Sequence, residues 1–123
     1  MPVRIKSKTR LQGSVTPSAL NTETDIVNLA DQSDDYIVEG QISLQNMASD
    51  DTVVIRTYIA VDGVNRKKAD EMTFTGAQDI PVVRIPALTL AYNAKFRATI
   101  TQTAGTTLKA FPYTIICQEM EVI

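Results

Sequence analysis

The chain has 123 residues, 44% hydrophobic and 21% charged, with a formal net charge of −2; that is enough for one domain with its own core and too apolar for wholesale disorder. It has no histidine, no tryptophan and a single cysteine, Cys117, which excludes an intrachain disulfide, a cysteine-rich zinc site and the chemistry that imidazole supports. The acidic body lacks the broad positive face that a nucleic-acid backbone rewards, and neither a secretory h-region behind Met1 nor a membrane-length apolar run is present.

In MPVRIKSKTRLQG, Arg4, Lys6, Lys8 and Arg10 fall at every second position, alternating with Val3, Ile5, Ser7 and Thr9. Extended, with period two, they form one wholly basic edge. Residues 1–12 therefore read as a basic N-terminal arm or edge strand, ahead of a β-sandwich domain over residues 13–123. Lysine and arginine on an edge strand guard against sheet-to-sheet aggregation, and a terminus can simply fray. On an arm that leaves its own domain, the same Arg4, Lys6, Lys8 and Arg10 become candidate partner-binding residues.

Pro17, Ser18 and Asn21 mark turns, after which TETDIVNLA sets Thr24 and Ile26 against Asp25 and Val27. That predicts a short strand, with a single helical turn over 24–30 as the competitor. Asp35 to Gly63 is the organising stretch: two long strands joined by a polar turn, Asn46 to Asp51. In the first, Tyr36, Val38, Ile42 and Leu44 share a face; in the second, Val53, Ile55, Thr57, Ile59 and Val61 alternate with Val54, Arg56, Tyr58 and Ala60. The β-branched content favours a pleated surface. The paired Asp50 and Asp51 invite a calcium reading, but the glycine and closing glutamate of an EF-hand loop are absent, and Asp and Ser are also what a turn uses to bond its own backbone.

Beyond Gly63, Arg66-Lys67-Lys68 and Asp70-Glu71 form a self-compensating polar run, followed by Met72 and Phe74 on one face. Pro81 and Pro86 demote IPVVRIPALTLAYN to an edge or bent strand, because proline cannot donate to a ladder. The last thirty residues predict a hairpin: Phe96, Ala98 and Ile100 face inward, Ala104-Gly105 turns, and Tyr113, Ile115 and Cys117 return, with a bulge or edge at Pro112. About eight strands at turn spacings of roughly ten residues predict an all-β chain: one antiparallel β-sandwich, jelly-roll-like, with an immunoglobulin-like sandwich as the alternative.

Charge is unevenly placed. Residues 1–20 carry four basic groups and no acid, whereas residues 21–51 carry eight acids and no base. A positive arm and a negative middle are complementary, within one subunit or head to tail between neighbours. Catalytic groups are missing: hydroxyls and Cys117 have no histidine to activate them, no carboxylate pair is singled out, and no glycine-rich phosphate loop occurs. No enzyme activity, cofactor or metal is expected.

With its short basic N-terminal arm, the VVIRTYIAVDG and FRATITQTAG strands, the polar turns and the lack of His and Trp, the chain resembles the small β-sandwich proteins of tailed phages and related viruses that decorate or cement capsids or sit on tails. The resemblance is one of size, pattern and texture. It implies a structural virion protein, made in the host cytoplasm and located in the virion. It further implies a homo-oligomer, trimers being frequent, whose partner is the major capsid protein or another shell protein rather than nucleic acid or membrane; the arm from Val3 to Leu11 would touch the shell. Two other classes compete. A carbohydrate-binding module would need open aromatic platforms, for which Tyr58 and Tyr92 are the candidates; a regulatory adaptor would use an exposed sheet edge.

Overall fold

The structure, a computed structural model, describes residues 2–123. Its strands are β1 (Val3–Val15), β2 (Thr24–Asn28), β3 (Tyr36–Ser43), β4 (Thr52–Ile59), β5 (Lys67–Thr75), β6 (Val82–Leu90), β7 (Arg97–Ala104) and β8 (Phe111–Val122). They form two four-stranded antiparallel sheets, sheet A in the order β1-β8-β3-β6 and sheet B in the order β2-β7-β4-β5. This is the jelly-roll arrangement of the β-sandwich. An immunoglobulin-like sandwich keeps its first two strands in one sheet, whereas here they lie in opposite sheets. Among the described residues no helix is long and apolar enough to cross a membrane.

Alternation builds the core. Tyr36, Val38, Ile42 and Leu44 are at most 1% exposed, as are Val53 and Ile55 of β4, Ala98 and Ile100 of β7, and Phe111 and Ile115 of β8. Cys117 is buried among them, and that burial raises its thiol above the usual range. The fully buried Tyr36 is not left unpaired, because its hydroxyl accepts the Phe96 N–H at 3.3 Å and so ties sheet A to the segment entering β7. Gly40 sits where sheet A is tightest. It lies in register with Ile115 and Ile85, and a Cβ there would collide with the Thr114 carbonyl.

The structure corrects the expected pairing. β3 and β4 are not a hairpin; they belong to opposite sheets, and so do β7 and β8. Among the described residues, β4 and β5 are the one pair of consecutive strands that share a sheet. Period two reports which side chains face inward, and it is the same whichever sheet a strand joins. What carries the chain across is the segment from Leu44 to Asp51, which buries Leu44 and Met47 and ends on a fully buried carboxylate. Asp51 accepts the Ala48 N–H at 2.7 Å and Gln102 Nε2 at 3.3 Å, and pairs with Lys109 Nζ at 3.3 Å. The aspartates of this turn thus clamp it to the β7–β8 connection, where Asp50 accepts the N–H and hydroxyl of Thr106.

Local expectations met mixed outcomes. Residues 24–28 form the strand rather than the helical turn. β6 is an edge, as Pro86 within it requires, with Pro81 just ahead of the strand, and its ladder is interrupted opposite Glu39, where Pro86 and Ala87 bulge out. Pro112 makes neither edge nor bulge: β8 is central, and its pairing with β3 begins only at Tyr113, so the missing N–H falls beyond that ladder. Past the end of β4 the alternation fails, leaving Val61 91% exposed and Ala60 buried.

Candidate interaction surface

β1 is an edge strand, paired with β8 from Val3↔Val122 to Val15↔Phe111. Met1, the first residue of the basic segment, lies outside the described residues. The four bases do not share one face. The register shifts between Ile5 and Ser7, so that Lys6 is the extra residue of a β-bulge. Counting from Cys117, which faces the core, Glu119 and Glu121 share its side of β8, and so Ser7 and Arg4 stand on that side as well. Arg4 pairs with Glu121 at 2.7 Å, while Lys6 donates to Ser33 Oγ at 2.7 Å. Ser33 and Ser7 in turn donate to Glu119, and the Ser33 N–H leads the contacts that hold this carboxyl below its ordinary range. The inner pair of bases is therefore satisfied locally.

Lys8 and Arg10 point the other way, in register with Gln118 and Ile116 on the outer face of sheet A. Among the described residues neither forms an ion pair or a side-chain hydrogen bond. Because of the bulge, Ile5 and Val3 join this outer face beside Met120 and Val122. Val3, Ile5 and Val122 are 59%, 46% and 56% exposed. An apolar strip flanked by two free cations thus replaces the expected wholly basic edge. Inboard of it, the face carries Gln118 and Ile37 in one row and Ile116 and Glu39 in the next.

The outer face of sheet B is built differently. Arg56 pairs with Glu71 at 2.7 Å and donates to Thr101, and Lys68 reaches the same glutamate at 3.1 Å. Glu23 accepts from Tyr58 and from Thr99, Arg97 pairs with Asp25 at 2.6 Å, and the Arg97 guanidinium lies 5.3 Å from the Tyr58 ring centre. Burial opposes ionisation of Glu23, but the hydrogen bonds from Thr99 and Tyr58 and the charges of Arg97 and Arg56 prevail and lower its pKa. Thr99 is wholly covered beneath these side chains. Among the described residues, four of the eight acids of residues 21–51 (Glu23, Asp25, Asp31 and Asp51) pair with Arg56, Arg97, Lys95 and Lys109, so bases that follow the acidic stretch, not those of the N-terminal strand, answer it.

The sandwich has a seam on the side away from β1, between the edge strands β5 and β6. A cavity of about 600 Å³ there is lined by Met72, Phe74, Val83 and Ile85 among others, and an adjoining one of about 220 Å³ shares Met72, Arg84, Ile85 and Pro86.

Of the two tyrosines considered as sugar platforms, Tyr58 is half-buried with its hydroxyl held by Glu23 and a guanidinium over its ring, while Tyr92 is 50% exposed. Sequence reasoning missed Met120 and Val122 and set Val3 and Ile5 opposite Lys8 and Arg10, because the bulge that gathers them leaves no mark in the alternation. No family model matches the chain, and no curated protein matches it. Among solved structures, one described as Bacillus endospore appendages, a family of disulfide-linked pili, aligns with a TM-score of 0.48 at 15% identity, covering 94% of this chain and 92% of that one. So slight a likeness adds nothing to the argument.

Proposed function

We propose that the chain is a structural virion protein that decorates or cements a viral shell, attaching through the outer face of sheet A. The observation that carries the reading is the strip of Val3, Ile5, Met120 and Val122 bordered by Lys8 and Arg10, none of which the sandwich itself uses. Exposed apolar surface beside unpaired cations is suited to a partner with carboxylates around an apolar patch. The rest of that face carries the amides and hydroxyls of Gln118, Gln41, Thr114 and Ser43, with Glu39 and Arg84 as its charged groups. The mechanism is area and avidity: several copies, each with a modest footprint, together resist outward displacement of the shell subunits. No residue performs chemistry.

The test is immunogold labelling and sedimentation of particles from the source of the gene, with antibody raised against the purified chain. Label on particles, lost when Ile5→Asp and Arg10→Glu are introduced together, is the expected result. Label spread through the cell with none on particles would contradict the reading.

A further inference from the structure

We infer that copies of this chain associate head to tail through the two edges of sheet A, with β1 of one copy lying antiparallel along β6 of the next. This goes beyond shell attachment and does not rest on it. Sheet A has four strands of alternating direction. An even number means that a copy displaced across the sheet, without being turned over, brings its β1 antiparallel to the β6 already there. The rows of the sheet then continue. Arg10, Ile116 and Glu39 form one outer row, which ends on β6 at the bulge of Pro86 and Ala87. Glu39 has no ion-pair partner among the described residues. Arg10 of the added copy would enter that row two strand spacings from Glu39, roughly 10 Å. Two extended side chains can span that gap over the short Pro86 and Ala87.

The inner row agrees. Leu11, Ile115, Gly40 and Ile85 are in register, so the incoming Leu11 falls beside the buried Ile85 and covers the seam lined by Met72, Ile85 and Pro86. Pairing β1 with β1 instead would set Lys8 and Arg10 of both copies on one face, and like charges across strands are destabilising. The basic edge is thus guarded against itself, whereas on β6 the single cation, Arg84, falls in the row of the incoming Gln12 and the carboxylate of Glu39 stands in the row of the incoming Arg10. Pro86 removes one donor from β6, at the bulge, and leaves Val82–Ile85 on one side of it to pair. Because the contact is heterologous and each sheet twists, the product is a twisted open row or a ring.

The test is analytical ultracentrifugation of the purified chain over a concentration series, with circular dichroism to confirm folding. The expected wild-type mass rises with concentration. Arg10→Glu and Glu39→Lys, both at exposed positions, should each weaken association at least about tenfold, a loss of about 1.4 kcal/mol. Their equimolar mixture should regain it, because each variant's altered edge meets its complement on the other. A wild type that stays monomeric at millimolar concentration, a closed dimer indifferent to both substitutions, or a mixture no better than its components would overturn the proposal. No shell is present in this assay, so its failure is distinct from failure of the virion reading.

Discussion

The two outer faces of one sandwich have been finished in opposite ways. On sheet B every long charged side chain near the centre has a partner: Arg56 with Glu71, Arg97 with Asp25, and Glu23 beneath Tyr58 and above Thr99. On sheet A, Lys8, Arg10, Glu39 and Arg84 stand without ion pairs among the described residues, next to exposed valine and isoleucine. A face that satisfies itself is stable in water and has little left to offer a partner. The other face leaves charged and apolar side chains unused, and the lesson is that a candidate interaction surface is read from what the structure leaves unspent.

The largest effects should be the same under both faces, since they share one core. Ile115→Ala beneath sheet A and Ile100→Ala beneath sheet B remove fully buried side chains and should each cost about 2–5 kcal/mol in urea unfolding. If one of them cost much less, the sheets would not be resting on a common core.

The faces should then separate on surface substitution. Arg56→Met breaks the contacts to Glu71 and Thr101 and should lower stability by about 1 kcal/mol. Arg10→Met should change it by less than about 0.5 kcal/mol. Equal losses at the two sites would erase the distinction drawn here.

Acid should act on sheet B through its carboxylates. Glu71 is held below its ordinary value of 4.5 first by the hydrogen bond from Arg56 and then by that from Lys68, and Glu23 lies below the same value for the reasons given above. A group whose folded pKa is depressed contributes stability above its unfolded pKa and loses it as pH falls through the folded one. The melting temperature should therefore be level above about pH 5 and decline below pH 4.5. Glu23→Gln should flatten that decline; an unchanged profile would show that the network is not what acid attacks.

The smallest effect concerns the bulge. Deleting Lys6 makes Ile5 and Ser7 consecutive, matching Met120 and Glu119 on β8, so the ladder should close with Val3 and Ile5 still on the outer face. Stability should shift by about 0.5 kcal/mol or less, read from thermal melts. A collapse in stability would mean that Lys6 is not the inserted residue.

Much of this fold was legible in the residues. The alternation of Tyr36, Val38 and Ile42, and of Phe96, Ala98 and Ile100, named the core correctly, and Pro86 marked an edge. Pairing was not legible, because β3 and β4 read as a hairpin on the strength of a turn-rich segment, while only the buried Leu44, Met47 and Asp51 show that this segment crosses between sheets. Of the four bases singled out at the N-terminus, two are consumed locally by Glu121 and Ser33. The other two share a face with apolar residues that strict period two had placed opposite them. One inserted residue reverses every assignment on its far side, and nothing in the composition of VRIKSKTR announces it.

The most direct test of the central claim, that the association surface lies on sheet A, is hydrogen–deuterium exchange of the purified chain compared at dilute and at high concentration. The account predicts slowed exchange in Ser7 to Val15 of β1 and Val82 to Ile85 of β6, with the edges of sheet B, β2 and β5, unchanged. Protection appearing at β2 or β5 instead, or at no edge of the sandwich, would contradict it.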